Sequence, residues 1–183
     1  MDPPGAAAKI RRFEEQILPH LPDLYRAARR LVGRVDAAED LVQDTCLRAF
    51  GALDQLKRPE AARAWVFSIL RSVFLRNAAR WDPVRPTGRG PDAFPGPEHG
   101  HLASKDSPLQ GALIEEARLA TQRLPIAFRE VVVLVHIGGF SYLEVAEILG
   151  VPVGTVMSRL WRARRLLRAA LCASDADRSG VRR

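Results

Sequence analysis

The stretch SYLEVAEILGVPVGTVMSRLWRARRLL, residues Ser141 to Leu167, has the pattern of two helices joined by a tight turn. Gly150 suits the positive φ with which helices often end, and Pro152 stands where a second helix can begin. The second helix carries one apolar stripe, made of Val156, Leu160, Ala163 and Leu167. Its other sides are mostly basic and polar. The pattern is typical of a helix-turn-helix that offers a basic face to DNA, and an ordinary helical hairpin with a solvated face is the alternative.

Composition indicates a globular chain with an anionic partner. The 183 residues carry a net charge of +7, with a pI near 10.4, which favours binding to nucleic acid or another polyanion. No apolar run approaches the roughly 20 residues of a membrane span, and the N-terminus lacks the apolar core of a signal peptide. We therefore expect a cytoplasmic protein without membrane insertion. Cys46 and Cys172 are the only cysteines, and their spacing indicates neither a disulfide framework nor a metal site.

The charges are segregated along the chain. Eight arginines stand against two aspartates from Gly150 to Arg183, whereas five acids stand against Arg48 alone from Val35 to Asp54. A strongly basic segment and a strongly acidic one favour surfaces of opposite charge. The sequence therefore predicts two different kinds of binding surface.

Helical periodicity dominates the chain and predicts an all-α fold of two small helical domains joined by a flexible linker. We place the N-terminal domain at residues 8–81 and the C-terminal domain, with the helix-turn-helix, at residues 109–172. The linker, residues 82–108, contains six prolines and four glycines, so it cannot build a core of its own. Its His99 and His101 form an H-x-H pair without a third ligand nearby in sequence. We expect no metal site and no cofactor.

Two helices of the N-terminal domain have informative faces. Val35 to Phe50 is predicted as an amphipathic helix with one apolar and one acidic face, and Asp36 is a candidate N-cap. Ala62 to Trp81 is predicted as a helix with one apolar side and several arginines. In the C-terminal half, the β-branched run from Val131 to Val135 lies inside a helical pattern, so we interpret it as buried helix.

Taken in order, these segments resemble bacterial RNA polymerase sigma factors. DAAEDLVQDTCLRAF (Asp36 to Phe50) is similar to the helix that binds core polymerase, and AWVFSILRSVFLRNAAR (Ala64 to Arg80) is similar to the promoter-melting helix that follows. LPIAFREVVVLVHIGGFSYLEVAEILGVPVGTVMSRLWRARRLL (Leu124 to Leu167) is similar to the promoter-reading C-terminal domain. Two such domains with only a linker between them are typical of the compact extracytoplasmic-function (ECF) type.

The resemblance implies three binding surfaces. Core RNA polymerase would dock on the acidic helix, at Asp36, Glu39, Asp40, Gln43 and Asp44. The loop and helix that follow would melt the proximal promoter element and hold one flipped base, through Asp54, Gln55, Lys57, Arg63, Arg71, Arg76, Asn77 and Arg80. The helix-turn-helix would read the distal element with Thr155, Met157, Ser158, Arg159, Trp161, Arg162 and Arg165.

The chain departs from the family pattern in the melting helix. Many relatives have Arg-Asn followed by an aspartate four residues later, whereas this chain has Arg71-Ser72 and then Arg76. The resemblance therefore implies backbone contacts for these arginines and does not indicate which bases are read.

Within the second helix of the helix-turn-helix, the resemblance separates two roles. Ser158 and Arg162 lie four residues apart, opposite the apolar stripe, and are the candidates for base edges, because arginine can bridge guanine bidentately. Arg159 and Arg165 are the candidates for phosphate contacts. Trp161 either packs on the domain or touches DNA.

Other classes of protein are compatible with parts of the sequence. The sequence shows no catalytic constellation, so we expect no enzyme. A conventional DNA-binding regulator would bind duplex DNA specifically by itself, usually as a dimer, and a protein-interaction adaptor would leave the arginine-rich helix without a role. The sigma-factor interpretation instead predicts a monomer that initiates transcription only with core RNA polymerase, on promoter DNA, and that is controlled by an anti-sigma factor.

Overall fold

The computed structural model describes residues 4–78 and 116–180. Within these ranges the chain is helical and has no β-strand, which confirms the predicted all-α class. The N-terminal domain contains α1 (Pro4–Gln16), α2 (Leu21–Val32), α3 (Val35–Gly51) and α4 (Ala62–Arg76). The C-terminal domain contains α5 (residues 116–122), α6 (Ile126–Val132), α7 (Tyr142–Leu149) and α8 (Val153–Gly180). The predicted linker, with its H-x-H pair, lies outside the described residues.

Helix α3 buries the apolar face that its periodicity predicts. The buried side chains are Ala37, Ala38, Leu41, Val42, Thr45 and Ala49. The hydroxyl of Thr45 donates to the carbonyl of Leu41 at 2.7 Å, so its polar atom is satisfied inside the core. Helix α4 packs on α3 and contributes Val66, Phe67, Leu70, Val73 and Phe74.

Two predicted helix boundaries in the N-terminal domain are wrong. The N-cap of α3 is Arg34, not Asp36; Asp36 lies in the first helical turn, and its carboxylate pairs with the Arg34 guanidinium. Helix α4 ends at Arg76, before the predicted Trp81, and the amide of Asn77 donates to the carbonyls of Val73 and Phe74 there.

The helix-turn-helix has strong local signals at both ends of α7. Ser141 is the N-cap, and its side chain and backbone amide exchange hydrogen bonds with Glu144 in a capping box. These bonds lower the pKa of Glu144. Gly150 ends the helix in the left-handed conformation, with φ 65°, as the sequence predicts. In α8, the stripe residues Val156, Leu160 and Ala163 are buried.

Helix α6 continues into one π-helical turn, Val133–Ile137. The amide of Gly138 donates to the carbonyl of Val133 at 2.8 Å, five residues back. A Cβ atom at Gly138 would lie 2.7 Å from the carbonyl oxygen of Leu134, so only glycine fits. The run from Val131 to Val135 is helical and mostly buried, which confirms its interpretation as buried helix.

The two domains share one continuous apolar core. Helix α2 packs on the π-helical turn, and α4 packs on α7. The rings of Phe67 and Phe140 meet edge to face across this seam, with centroids 4.9 Å apart. This interface differs from the expectation of two separate domains on a flexible linker.

Candidate protein-binding and nucleic-acid-binding surfaces

The outer face of α3 carries the predicted acidic surface. Asp36, Glu39, Asp40 and Gln43 are exposed and Asp44 is half-buried, while the opposite face of the helix lies in the core. The guanidinium of Arg34 lowers the pKa of the Asp36 carboxyl by hydrogen bonding, so Asp36 shares its charge with a neighbour. The helix therefore presents carboxylates to solvent from a rigid backbone.

An exposed leucine extends this acidic surface. The side chain of Leu47 is 67% exposed, one turn beyond Gln43 and Asp44, and Phe50 is partly exposed farther along the helix. Leu47 was not predicted as a site residue. Its position could have been inferred from the sequence, because an apolar residue out of phase with the buried face of α3 must point to solvent. An exposed apolar side chain bordered by polar ones fits the apolar centre and polar rim of a protein interface.

The loop between α3 and α4 is anchored in the core by two buried leucines. Leu53 and Leu56 are buried, whereas Asp54, Gln55 and Lys57 are exposed. The predicted loop residues thus point outward from a short 3₁₀ turn, Leu53–Gln55, that is fixed in the core. The side chains of Gln55 and Lys57 are therefore open to solvent and to a ligand.

Helix α1 lies against this loop and clamps it. The Lys9 ammonium pairs with the Asp54 carboxylate at 3.1 Å and also lies over the ring of Phe50. The guanidinium of Arg12 donates to the carbonyl of Leu56, and Phe13 packs edge to face on Phe50. No role for α1 was predicted from the sequence.

The predicted melting arginines of α4 fall into two groups. Arg63 and Arg71 are half-buried and contact the C-terminal domain, whereas Arg76 is exposed and Asn77 is half-buried at the end of the helix. Arg80 lies outside the described residues. The domain interface therefore takes up part of the basic face that the sequence analysis assigned to DNA.

Arg71 forms the ion pair of the interface. Its Nε donates to Oε1 of Glu130 in α6 at 2.9 Å, and the Glu130 side chain is only 5% exposed. Burial raises the pKa of Glu130, although the charges of Arg71, Arg159 and Arg129 oppose this shift. The carboxylate therefore depends on nearby guanidinium groups for its charge compensation.

Arg63 forms a second polar contact across the interface. Its guanidinium donates to the carbonyl of Gly138 and to the Asp23 carboxylate, the latter at 3.2 Å, and lies 4.5 Å from the ring centroid of Phe140. Hydrogen bonds from Arg26 and Arg63 lower the pKa of Asp23.

A third arginine, Arg129, is only 1% exposed. It donates to the carbonyl of Leu31 in α2 at 2.8 Å and also to the carbonyls of Gln122 and Leu124. Carbonyl acceptors on both domains thus hold one buried guanidinium group.

The predicted distal-element residues of α8 lie outside its buried stripe, and Arg159 borders the stripe and lies near enough to Glu130 to affect its pKa. Met157, Trp161 and Arg165 are exposed, and Thr155, Ser158, Arg159 and Arg162 are half-buried. The Ser158 hydroxyl donates to the carbonyl of Thr155 at 3.0 Å, and the Arg165 guanidinium lies over the ring of Trp161 at 5.2 Å. Trp161 therefore positions Arg165, and its own side chain is partly exposed.

Across residues 4–78 and 116–180, no three histidine, cysteine or acidic side chains group as metal ligands would. In that same part of the chain, none of the helices combines the length and apolarity needed to cross a membrane.

Comparison with known proteins identifies the family. The family profile for Sigma-70 region 2 matches residues 17–82, and the one for Sigma-70 region 4 matches residues 114–167. The ECF RNA polymerase sigma factor EcfG of Rhodopseudomonas palustris is 36% identical over 92% of this chain and 90% of its own length. The chain is an ECF sigma factor.

Other sigma factors are also similar to the chain. SigE of Mycolicibacterium smegmatis is 34% identical over 96% of this chain and 68% of its own. Among solved structures, RpoE of Bartonella quintana in complex with the anti-sigma factor NepR superposes with a TM-score of 0.63, at 31% identity, over 87% of this chain and 96% of that one. CnrH in complex with the cytosolic domain of CnrY gives a TM-score of 0.61, at 29% identity, over 88% of both chains.

The family defines the general activity of the chain. An ECF sigma factor binds core RNA polymerase and promoter DNA and directs transcription initiation. The matched regions begin at residue 17 and leave out the whole of α1, which ends at Gln16, so the residues of α1 that clamp the loop lie outside the family profile.

Proposed function

We propose that this ECF sigma factor divides promoter recognition among three surfaces. The acidic face of α3 docks on core polymerase, the loop at residues 53–58 and helix α4 open the proximal element, and α8 reads the distal element. The observation that carries the proposal is α3, where mostly exposed carboxylates lie on the side of the helix opposite its buried residues. On that helix the acids are directed away from the protein's own core and toward a partner.

On the acidic face, charge and apolar contact have different tasks. Exposed ion pairs contribute only ~0–1 kcal/mol each, so the carboxylates mainly steer the approach and set the register of docking. Leu47 adds apolar area that is removed from water on binding, at about 25 cal/mol per Å². Affinity for core polymerase therefore depends on both kinds of side chain.

At the distal element, the proposed division of labour follows the positions on α8. Ser158 and Arg162 contact base edges, while Arg159 and Arg165 hold phosphates. Stacking on Trp161 limits the freedom of the Arg165 side chain, which reduces the entropy lost when it binds a phosphate.

Control by an anti-sigma factor belongs to the same proposal. The solved RpoE of Bartonella quintana is in complex with the anti-sigma factor NepR, and that structure aligns with 87% of this chain. We extend that mode of control to this chain. In this view, polymerase supplies the chemistry, and the chain supplies promoter choice and strand opening as a cytoplasmic monomer.

The experiment is transcription in vitro with purified core polymerase and a promoter library. The wild-type chain should give promoter-specific transcripts only when core polymerase is present. A DNA-binding regulator would instead bind duplex promoters specifically without polymerase. Absence of specific transcripts, together with no complex with core polymerase on a sizing column, would refute the proposal.

The docking surface is tested by reversing its charge. Asp40→Lys with Asp44→Lys should weaken core binding by about tenfold, since each exposed pair contributes ~0–1 kcal/mol and reversal adds repulsion. Glu14→Lys with Glu15→Lys makes the same change of charge on the exposed side of α1 and serves as the matched control. Equal affinities of the two double variants for core polymerase would contradict docking through α3.

A further inference from the structure

We propose that Lys9 of α1 is a positioning residue that sets the base preference of the loop at residues 53–58. Its ammonium holds the Asp54 carboxylate and supplies a hydrogen-bond donor beside it, so that the loop does not favour guanine as the flipped base. This inference rests on the proposed function of the loop in opening the proximal element. It adds to that loop a residue of α1, which ends before the match to Sigma-70 region 2 begins at residue 17.

The side chain of Lys9 is held on two sides. Its ammonium lies 3.1 Å from Oδ2 of Asp54 and 5.5 Å from the ring centroid of Phe50. The side chain is only 28% exposed, although lysines are mostly exposed in proteins. Phe50 is in turn contacted by the ring of Phe13, edge to face, with centroids 5.5 Å apart. The ammonium therefore has a defined position at the edge of the loop.

The carboxylate of Asp54 faces outward from the same edge. Its side chain is 76% exposed, whereas the neighbouring Leu53 is fully buried and fixes the backbone of the turn. The carboxylate can be reached from solvent, while the turn and Lys9 limit its direction. An exposed ion pair adds little to the stability of a fold, so we expect its main effect on what the loop binds.

A carboxylate alone and a carboxylate beside an ammonium present different hydrogen-bond patterns. An ionised aspartate offers acceptors only, whereas an ammonium offers three donors and no acceptor. Among the four bases, guanine alone has two adjacent N–H donors on its Watson–Crick edge, at N1 and N2. Two carboxylate oxygens can accept both donors together. An Asp54 side chain without Lys9 would therefore favour guanine as the flipped base.

Lys9 removes this advantage of guanine. With the ammonium beside Oδ2, the pair presents a donor next to an acceptor, and the Watson–Crick edge of every base carries that complementary combination. The ammonium also compensates the negative charge of Asp54, which would otherwise repel the phosphates of the incoming strand. The choice among the bases then passes to the other exposed loop residues, Gln55 and Lys57.

The test is promoter opening by the full chain with core polymerase, on a library randomised in the proximal element. Sequencing of the promoters retained in heparin-resistant complexes measures the base preference. Lys9→Ala should shift the preference at the flipped position toward guanine by about tenfold, the discrimination that one bidentate contact gives. Lys9→Arg should keep the wild-type preference, because a guanidinium also donates to a carboxylate. Arg11→Ala removes the same charge from an exposed position of α1 and is the matched control.

A double-variant comparison shows whether Lys9 acts through Asp54. In an Asp54→Asn background there is no carboxylate to hold, so the further change Lys9→Ala should leave the base preference as it is. An equal shift toward guanine with and without the carboxylate would overturn the proposal. The same base preference in Lys9→Ala and Arg11→Ala would also overturn it. If the wild-type chain itself shows no base preference in the proximal element, the proposed function of the loop is wrong instead.

Discussion

Single side chains on α8 are arranged so that their proposed roles can be separated by substitution. Arg162 is half-buried beside the stripe that packs the domain, whereas Arg165 is exposed and stacked on Trp161. The half-buried Arg162 has fewer accessible conformations, which suits a base contact of fixed geometry. The more exposed Arg165 suits a phosphate contact.

Arg162→Ala should weaken promoter binding by the polymerase complex by about 1–3 kcal/mol and relax the base preference at one or two distal positions. Arg165→Ala is the paired control and should weaken binding evenly across sequences, with a lower salt dependence. Binding selections over a randomised distal element measure both effects. An even loss for Arg162→Ala would reassign Arg162 to phosphate binding.

Residue positions on regular helices were predictable, and the residues of the domain interface were not. The buried face of α3 and the stripe of α8 follow from spacing alone, because the 3.6-residue period is a local property. No local pattern in the sequence marks Arg129 and Glu130 as buried. Their burial depends on the position of the other domain, which the spacing of nearby residues does not determine.

At the scale of elements, α1 and the loop behave as one unit. Lys9 and Arg12 on one side of α1 hold Asp54 and the backbone of Leu56, and Phe13 rests on Phe50. The loop at residues 53–58 is therefore fixed by contacts from α1. The sequence predicted the exposed residues of the loop, but it did not predict these distant contacts.

Arg12→Ala should slow promoter opening while core binding stays unchanged, because the loop loses its backbone clamp and must be ordered as the flipped base enters. The neighbouring Arg11 is exposed on the same helix, so Arg11→Ala is the matched control. Fluorescence of 2-aminopurine in the proximal element follows opening. Identical opening rates for the two variants would show that the clamp has no part in base capture.

On the scale of the whole molecule, the shared core makes the two domains depend on each other. Leu31 of α2, Phe67 of α4 and Phe140 of the C-terminal domain belong to one cluster of buried side chains. The sequence predicted both domains, because each has its own periodic helices. It did not predict their interface, because the polar contacts there join residues 59 to 98 positions apart.

Arg129→Leu should lower the free energy of unfolding by about 3 kcal/mol, since it leaves the buried carbonyls of Leu31 and Leu124 and the half-buried carbonyl of Gln122 without their donor, at ~1–3 kcal/mol for each unsatisfied group before relaxation. Arg123→Leu alters an exposed arginine of the same region and should change stability little. Urea unfolding followed by circular dichroism measures both. A loss below about 1 kcal/mol for Arg129→Leu would mean that water replaces the guanidinium readily.

The π-helical turn Val133–Ile137 fixes the phase between α6 and everything that follows it. Its wider ring holds one residue more than an α-helical turn would. Deletion of a single residue there would restore regular helix and swing the downstream chain by about 100° around the axis. Phe140 would then lose its contact with Phe67, and α8 would be rotated as a rigid unit relative to the N-terminal domain. Segment length, more than side-chain identity, is therefore what natural variation must preserve at this point of the fold.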